Sequence, residues 1–215
     1  MVLGETFLVL TLLLTQTEAA TEYIRNASAF AAFAKKVTNS GIFYTGTTVY
    51  LTCDIDMKGK DFVTIGAFQL KYFEGSFNGN GHLIQNINTK AEDDVQHTGL
   101  FGYAYGGKIS NIILDSTNTF ENTYAGKFNL GYAGCATGSI VARCYNCIVE
   151  NVASLATIVS SGKYSANMGG IRRIGGVVGH SYGTTPTIKN AAYAGTILFK
   201  GSGTSGTKIG DLSAF

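Results

Sequence analysis

Two short patterns alternate along this chain of 215 residues. In the first, a β-branched residue and any other residue precede an asparagine that is followed by an apolar or small residue; its asparagines are Asn86, Asn111, Asn151 and Asn190. The second is a glycine-framed apolar pair that closes on a small residue at positions 102, 142, 179 and 214. The closing residues are spaced by about 40, 37 and 35 positions, which is typical of stacked structural repeats.

The chain between these patterns favours short strands joined by turns. It contains 28 glycines and one proline, so its turns use residues that tolerate positive φ. Residues 47–52 are mostly β-branched or aromatic, as strands prefer, and successive Asn-Gly pairs at 78–81 mark a tight turn. The fold class predicted from these features is all-β.

One helix is predicted ahead of the strands, from Ser28 to Val37. Ser28 is suited to cap its first turn, and Phe30, Phe33 and Val37 fall on one face. A lone short helix is marginal in water. We therefore expect residues 20–41 to form a segment whose helix caps one end of the stacked strands.

Residues 54–57, 62–66 and 73–84 resemble the opening of GLUG-motif proteins, and the Gly-Leu-Phe-Gly and Ile-Gly-Gly-Val-Val-Gly phrases are similar to the repeat of that family. The resemblance covers about residues 23 to 215. It implies a right-handed parallel β-helix, a solenoid, in a secreted or surface-attached protein that is often adhesin-like. No set of catalytic residues accompanies the motif, so the resemblance transfers none.

Stacking of the repeats makes specific predictions about side chains. Equivalent residues would lie about 4.8 Å apart, one strand spacing, so the apolar residues would form columns and the four asparagines a structural amide ladder. The predicted columns are Leu100, Phe101, Ile140, Val141, Val177, Val178 and Leu212 in one, and Ile84, Ile109, Val149 and Ile188 in the other.

Residues 1–19 are predicted to be a signal peptide, because an apolar run at 7–14 precedes small residues at both key cleavage positions. A buried N-terminal segment is the alternative. Secretion would make disulfide candidates of the four cysteines, Cys53, Cys135, Cys144 and Cys147. It would also make Asn26, in the chain's one Asn-x-Ser/Thr sequon, a glycosylation candidate.

Charge and hydropathy argue against several classes of partner. A net charge of +2 gives no reason to expect binding to nucleic acid, and no run after the signal peptide is apolar enough to predict a transmembrane segment. The glycine phrases lack the Gly-Lys-Ser/Thr ending of phosphate-binding loops. We assign no cofactor and no metal.

A polysaccharide-degrading enzyme, a lyase or a glycoside hydrolase, is the alternative function. Hydrolysis needs two nearby carboxyl groups, and Asp54 and Asp56 would share one face of a strand. Asp93 and Asp94 are expected to be solvated. A lyase needs a strong base, for which only the neighbouring arginines 172 and 173 stand out.

The preferred prediction is a structural or adhesive protein, secreted or at a cell surface, that binds a cell-surface protein or a glycan without catalysis. Arg172 and Arg173 are its ligand-contact candidates. The tyrosines in or near turns are interpreted as partly buried turn residues, and an exposed stacking surface for sugars or protein partners is the alternative. Residues 42–215 are expected to form the GLUG-type β-helix. It is expected to be incomplete at the C-terminus, where an uncapped rung would permit end-to-end association.

Overall fold

The computed structural model describes residues 19–68, 70–91, 97–123, 135–161, 172–200 and 207–210. Strands dominate this part of the chain, which contains a single α-helix. The elements are β1 (Ala20–Ile24), α1 (Ala27–Thr38), β2 (Thr47–Leu51), β3 (Ile55–Asp56), β4 (Ser76–Asn78), β5 (Leu83–Gln85), β6 (Asn88–Ala91), β7 (His97–Thr98), β8 (Phe101–Tyr105), β9 (Lys108–Leu114), β10 (Thr119–Asn122), β11 (Ala136–Gly138), β12 (Val141–Tyr145), β13 (Ile148–Ser154), β14 (Thr157–Ser160), β15 (Arg172–Gly175), β16 (Val178–Tyr182), β17 (Thr187–Tyr193), β18 (Thr196–Phe199) and β19 (Thr207–Gly210).

These strands are divided among four sheets. The largest has eight strands, in the order β1-β2-β4-β9-β13-β17 with β3 and β5 beside that path. Two sheets have four strands each, β6-β10-β14-β18 and β7-β11-β15-β19, and the fourth consists of β8, β12 and β16. All pairings between these strands are parallel.

The all-β class predicted from the sequence is confirmed. The predicted right-handed parallel β-helix, a single solenoid, is wrong. The strands form several separate parallel sheets, and the largest branches where β4 and β5 both pair with β9. The physical reason is that each repeat contains several strands of two to seven residues, separated by bends. Strands at equivalent positions pair with one another, so each set forms its own sheet.

Left-handed backbone conformations bend the chain at the asparagines of the first pattern. Asn111, Asn151 and Asn190 have φ of 57°, 54° and 49°, a region that Asn tolerates better than most residues. Gly99 meets a different demand, because a Cβ there would collide with the carbonyl oxygen of Gly138 on the adjacent strand. The asparagines therefore bend three strands of the largest sheet at their middle residues, while Gly99 permits a close approach of two chain segments.

The helix begins one residue earlier than expected, and its cap is Asn26 rather than Ser28. The Asn26 side chain accepts a hydrogen bond from the Ala29 backbone N–H at 2.8 Å. Phe30 and Phe33 are fully buried, and the Phe33 ring lies 5.9 Å from that of Phe77 on β4. The helix thus packs its apolar face against the largest sheet.

The hydrophobic core contains most of the predicted columns. Leu100, Phe101, Ile140, Val141, Val177, Val178, Ile84, Ile109 and Val149 are all buried in one cluster. Ile188 is partly buried against that cluster. Leu212 lies outside the described residues, as do residues 1–18 of the predicted signal peptide and the C-terminal residues 211–215.

Candidate functional site

Six polar and aromatic side chains lie on one face of the three-stranded sheet, which we call the tyrosine face. Two rows cross its strands in register. The first consists of Tyr103, Arg143 and His180, and the second of Tyr105, Tyr145 and Tyr182. Residue 144, between the two rows on β12, is buried in the core. Successive residues of a strand point to opposite sides, so the rows face away from the core.

The second row is a continuous set of aromatic contacts. The rings of Tyr105 and Tyr145 stack with centroids 4.7 Å apart, and those of Tyr145 and Tyr182 meet edge to face at 5.0 Å. Tyr72 extends the row, 5.1 Å from Tyr105, and itself stacks on Phe43 at 4.5 Å. Tyr105 is 37% exposed, so part of the row is open to solvent.

The guanidinium of Arg143 lies between two tyrosine rings of this face. Its Cζ is 5.1 Å from the centroid of Tyr103 and 4.7 Å from that of Tyr182. The two phenol oxygens are 2.9 Å apart and hydrogen-bonded, so the rings are linked to each other. Cation–π contacts on both rings hold the guanidinium in place, although Arg143 is only 7% exposed.

Positive charge accumulates here, and the described residues place no carboxylate in an ion pair with it. The Arg173 guanidinium and the His180 ring are close enough to Arg143 to feel its charge. None of the ion pairs formed by the described residues includes Arg143 or Arg173. In that part of the chain, Nε of Arg143 and Nδ1 of His180 are buried without a hydrogen-bond partner. Such groups are costly to leave unsatisfied.

The electrostatics of the face follow from this arrangement. Burial, assisted by the charges of Arg173 and Arg143, lowers the pKa of His180 to about 4, so the imidazole is neutral at pH 7. Burial, with the neighbouring Arg143 charge, also lowers the pKa of Arg173. Burial and the hydrogen bond to Tyr182 raise the pKa of Tyr103. At neutral pH the face thus carries two cations and no ionised phenol from Tyr103.

Only part of this site was predicted. Arg173 lies on β15 and is half-buried beside the tyrosine face, while the side chain of Arg172 lies outside the described residues. Arg143 was missed. The sequence contained a signal for both rows. Each residue of the first row comes one position after a closing residue of the glycine-framed pattern (102, 142 or 179), and each residue of the second row comes three positions after it.

The two aspartates proposed for hydrolysis are exposed and held by separate hydrogen bonds. The Asp54 carboxylate accepts from the Leu83 backbone N–H at 2.9 Å and lies 3.1 Å from Nδ1 of His82. Asp56 accepts from the Lys58 backbone N–H at 2.9 Å. These backbone hydrogen bonds are the largest cause of a lowered pKa at each aspartate. A general acid needs the opposite shift. Asp93 and Asp94 lie outside the described residues.

Three of the four ladder asparagines are hydrogen-bonded to one another through their side chains. Nδ2 of Asn151 donates to Oδ1 of Asn111 at 3.1 Å, and Asn190 donates to Asn151 at 2.9 Å. The Asn111 side chain in turn donates to Asn78, and not to Asn86. Asn86 instead donates to Asp56 at 2.8 Å, so at that position the ladder passes through Asn78.

The cysteines divide into a pair and two thiols. Cys144 and Cys147 form a disulfide. Cys135 is buried, and the thiol of Cys53 lies 3.3 Å from the carbonyl oxygen of Arg25. Asn26, the glycosylation candidate, is exposed at the start of the helix.

A groove of about 220 Å³ lies between the end of the helix and β6. Its wall includes Thr38, Phe62 and Thr89, and the Thr89 hydroxyl is buried without a partner among the described residues. The groove offers one cation, Lys90. The tyrosine face brings more recognition chemistry together.

The described residues offer neither a cluster of metal ligands nor a membrane-spanning helix. No three of their His, Cys, Asp and Glu side chains gather as metal ligands would. None of their helices is long and apolar enough to span a bilayer.

Comparison with known proteins gives a likeness of fold. No family model matches the chain, so the GLUG resemblance, and with it the prediction of a signal peptide and secretion, finds no support there. No curated protein matches either. A solved structure titled a "putative immunoglobulin A1 protease" from Bacteroides ovatus is similar, with a TM-score of 0.51 and 20% identity. The match covers 88% of this chain and 63% of that one, less than two thirds of its length.

Proposed function

We propose that this protein is a non-enzymatic binding module that acts outside the cell or at its surface, and that the tyrosine face is its contact surface for another protein. The observation that carries the proposal is the row of Tyr105, Tyr145 and Tyr182 beside the sandwiched Arg143. Tyrosine and arginine are enriched in protein interfaces and among the residues that contribute most binding energy.

The rigidity of the face favours binding. A tyrosine already stacked on its neighbour loses little side-chain freedom when a ligand arrives, and that loss is a main cost of association. The three strands fix the ring positions through backbone pairing in register. A protein ligand would therefore meet a surface that is largely pre-formed.

A protein ligand is favoured over a glycan by how the rings are turned. A sugar would use the flat face of an aromatic ring, but Tyr105 and Tyr145 each cover one face of the other, with an interplanar angle of 18°. Ring edges and phenol groups suit the mixed polar and apolar contacts of a protein interface.

Two further observations support the extracellular location and the non-enzymatic character that we propose. The disulfide between Cys144 and Cys147 fits an oxidising compartment. The lowered pKa of both Asp54 and Asp56 disfavours this pair as the acid and base of a glycoside hydrolase.

The test is a selection of displayed peptides on the immobilised protein, followed by measurement of their affinity for a Tyr105→Ser/Tyr145→Ser variant. We expect binding to weaken at least about tenfold, which corresponds to about 1.4 kcal/mol. The matched control is Tyr23→Ser/Tyr50→Ser, because these rings also stack, 5.8 Å apart, but on β1 and β2. Control binding should equal that of the unmodified protein.

Two results would contradict the proposal. Selected peptides that bind the Tyr105/Tyr145 variant as tightly as the unmodified protein would place the contact surface elsewhere. Arrayed glycans whose binding is lost in that variant, when no peptide is selected at all, would show that the ligand is a sugar.

A further inference from the structure

The cations of the tyrosine face define a second, more specific feature, which rests on the function proposed above. Arg143 is 7% exposed, and none of its hydrogen bonds or ion pairs within the described residues reaches a carboxylate. Burying a charge without a partner is expensive. The aromatic rings of Tyr103 and Tyr182 compensate in part, since their centroids lie 5.1 Å and 4.7 Å from Cζ of the guanidinium.

A cation–π contact leaves the N–H groups of a guanidinium free to donate hydrogen bonds. These N–H groups lie in the plane of the group and point outward from its edge. A guanidinium so held presents the forked set of donors that matches a carboxylate. The buried Nε of Arg143 has no acceptor among the described residues.

Two neighbouring side chains, those of His180 and Arg173, also favour a carboxylate as ligand. His180, paired in register with Arg143, has a buried Nδ1 without a hydrogen-bond partner in the described part of the chain. Arg173, on the adjacent sheet, is close enough for its charge to act on His180. An incoming carboxylate would therefore meet two cations and an imidazole.

We infer that the tyrosine face recognises an acidic segment of its protein ligand, with an Asp or Glu carboxylate bound at Arg143 and assisted by Arg173 and His180. The carboxylate would supply the negative charge that the described residues do not pair with Arg143, and the flanking residues of the segment would lie along Tyr105 and Tyr145. The preference would weaken as salt is added, because part of it is Coulombic.

The experiment uses two short acetylated peptides, one with a tyrosine between two glutamates and a twin with glutamines in their place. Their dissociation constants are measured with the full chain. We expect the glutamate peptide to bind at least about tenfold more tightly, since a charge-assisted hydrogen bond adds roughly 1.5–3 kcal/mol. It should also shift the ring proton resonances of His180, which the twin should leave in place.

Arginine variants locate the preference. Arg143→Gln should remove the difference between the two peptides, and Arg173→Gln should reduce it at least about threefold. The matched control is Arg25→Gln, because this exposed guanidinium also lies over a tyrosine ring, Tyr23, at 5.4 Å but on another part of the molecule. Thermal melts check folding, and if Arg143→Gln does not fold, the half-buried Arg173 provides the decisive variant.

Each remaining outcome overturns the inference. Equal binding of the two peptides, binding of neither, or a preference that survives both arginine changes would show that no carboxylate site exists for a protein segment. A uronate oligosaccharide that binds through Arg143 when the glutamate peptide does not would assign the carboxylate to a sugar. Failure of the proposed function is distinguishable, because there the Tyr105/Tyr145 variant leaves the binding of selected peptides unchanged.

Discussion

The side-chain amide of Asn151 donates a hydrogen bond to that of Asn111 at 3.1 Å, and both residues have left-handed backbones, with φ of 54° and 57°. The same side chain of Asn151 accepts from Asn190 at 2.9 Å. One residue type thus meets two requirements at the same position, since it tolerates positive φ and links three neighbouring strands.

Replacement of Asn151 should separate these two requirements. Asn151→Gly keeps the backbone conformation and removes the hydrogen bonds, whereas Asn151→Ala removes the hydrogen bonds and also strains the backbone. We expect the free energy of unfolding of the alanine variant to be about 1 kcal/mol lower than that of the glycine variant. Urea denaturation measures both, and equal stabilities would contradict the conformational part of the explanation.

The pH dependence of stability should reflect His180. Its folded-state pKa is lowered to about 4 from an ordinary value of 6.5, so between these values the unfolded chain binds more protons than the folded one. The free energy of unfolding should therefore fall as the pH decreases from about 6.5 to about 4, and this contribution should then level off.

Thermal melts across that range, compared with His180→Gln, isolate the contribution. The variant should lose stability less steeply between pH 6.5 and pH 4. Asp54, Asp56 and Glu150 have a lowered pKa and contribute their own loss below about pH 4.5. An identical slope in protein and variant would exclude His180 as the source.

Phe33 should be essential for the attachment of the helix. Its ring is fully buried and contacts Tyr44 at 5.0 Å and Phe73 and Phe77 at 5.9 Å. Phe33→Ala should cost about 3–5 kcal/mol, because a large cavity remains in a packed core. Chemical denaturation measures the loss, and Ile42→Ala, at a side chain 49% exposed, should stay within about 0.5 kcal/mol. A similar loss in both would argue against the packing described.

The disulfide should be detectable by counting thiols. The chain has four cysteines, and Cys144 is bonded to Cys147, so the denatured protein should react with two equivalents of an alkylating reagent before reduction and four after it. Replacing both with alanine should lower the free energy of unfolding by roughly 2 kcal/mol, given the short loop that they close. Four reactive thiols without reductant would contradict the bond.

The sequence predicted the partners of many strands better than it predicted their organisation. The spacing of the repeats placed Ile109, Val149 and Ile188 at equivalent positions, and they pair in register. It did not reveal that strands of so few residues would divide among several sheets, since each bend depends on local φ values and close backbone contacts.

The candidate site was harder to predict for a different reason. A spacing relates equivalent residues, but it does not state which side of a strand faces solvent, and Arg143 between buried Ala142 and Cys144 resembles a core position. Asn86 fits the asparagine pattern equally well, yet it bonds to Asp56. The asparagine that bonds to Asn111 in its place is Asn78, which the pattern excluded.

The buried and outward positions alternate over the last three residues of β12, with Cys144 in the core and Arg143 and Tyr145 on the tyrosine face. Substitutions at these two outward positions can change the chemistry of the face while the interior stays intact. An insertion or deletion of a single residue at this end of the strand would exchange the two sides. The chemistry of the face can therefore diversify by point mutation, but not by a change in strand length.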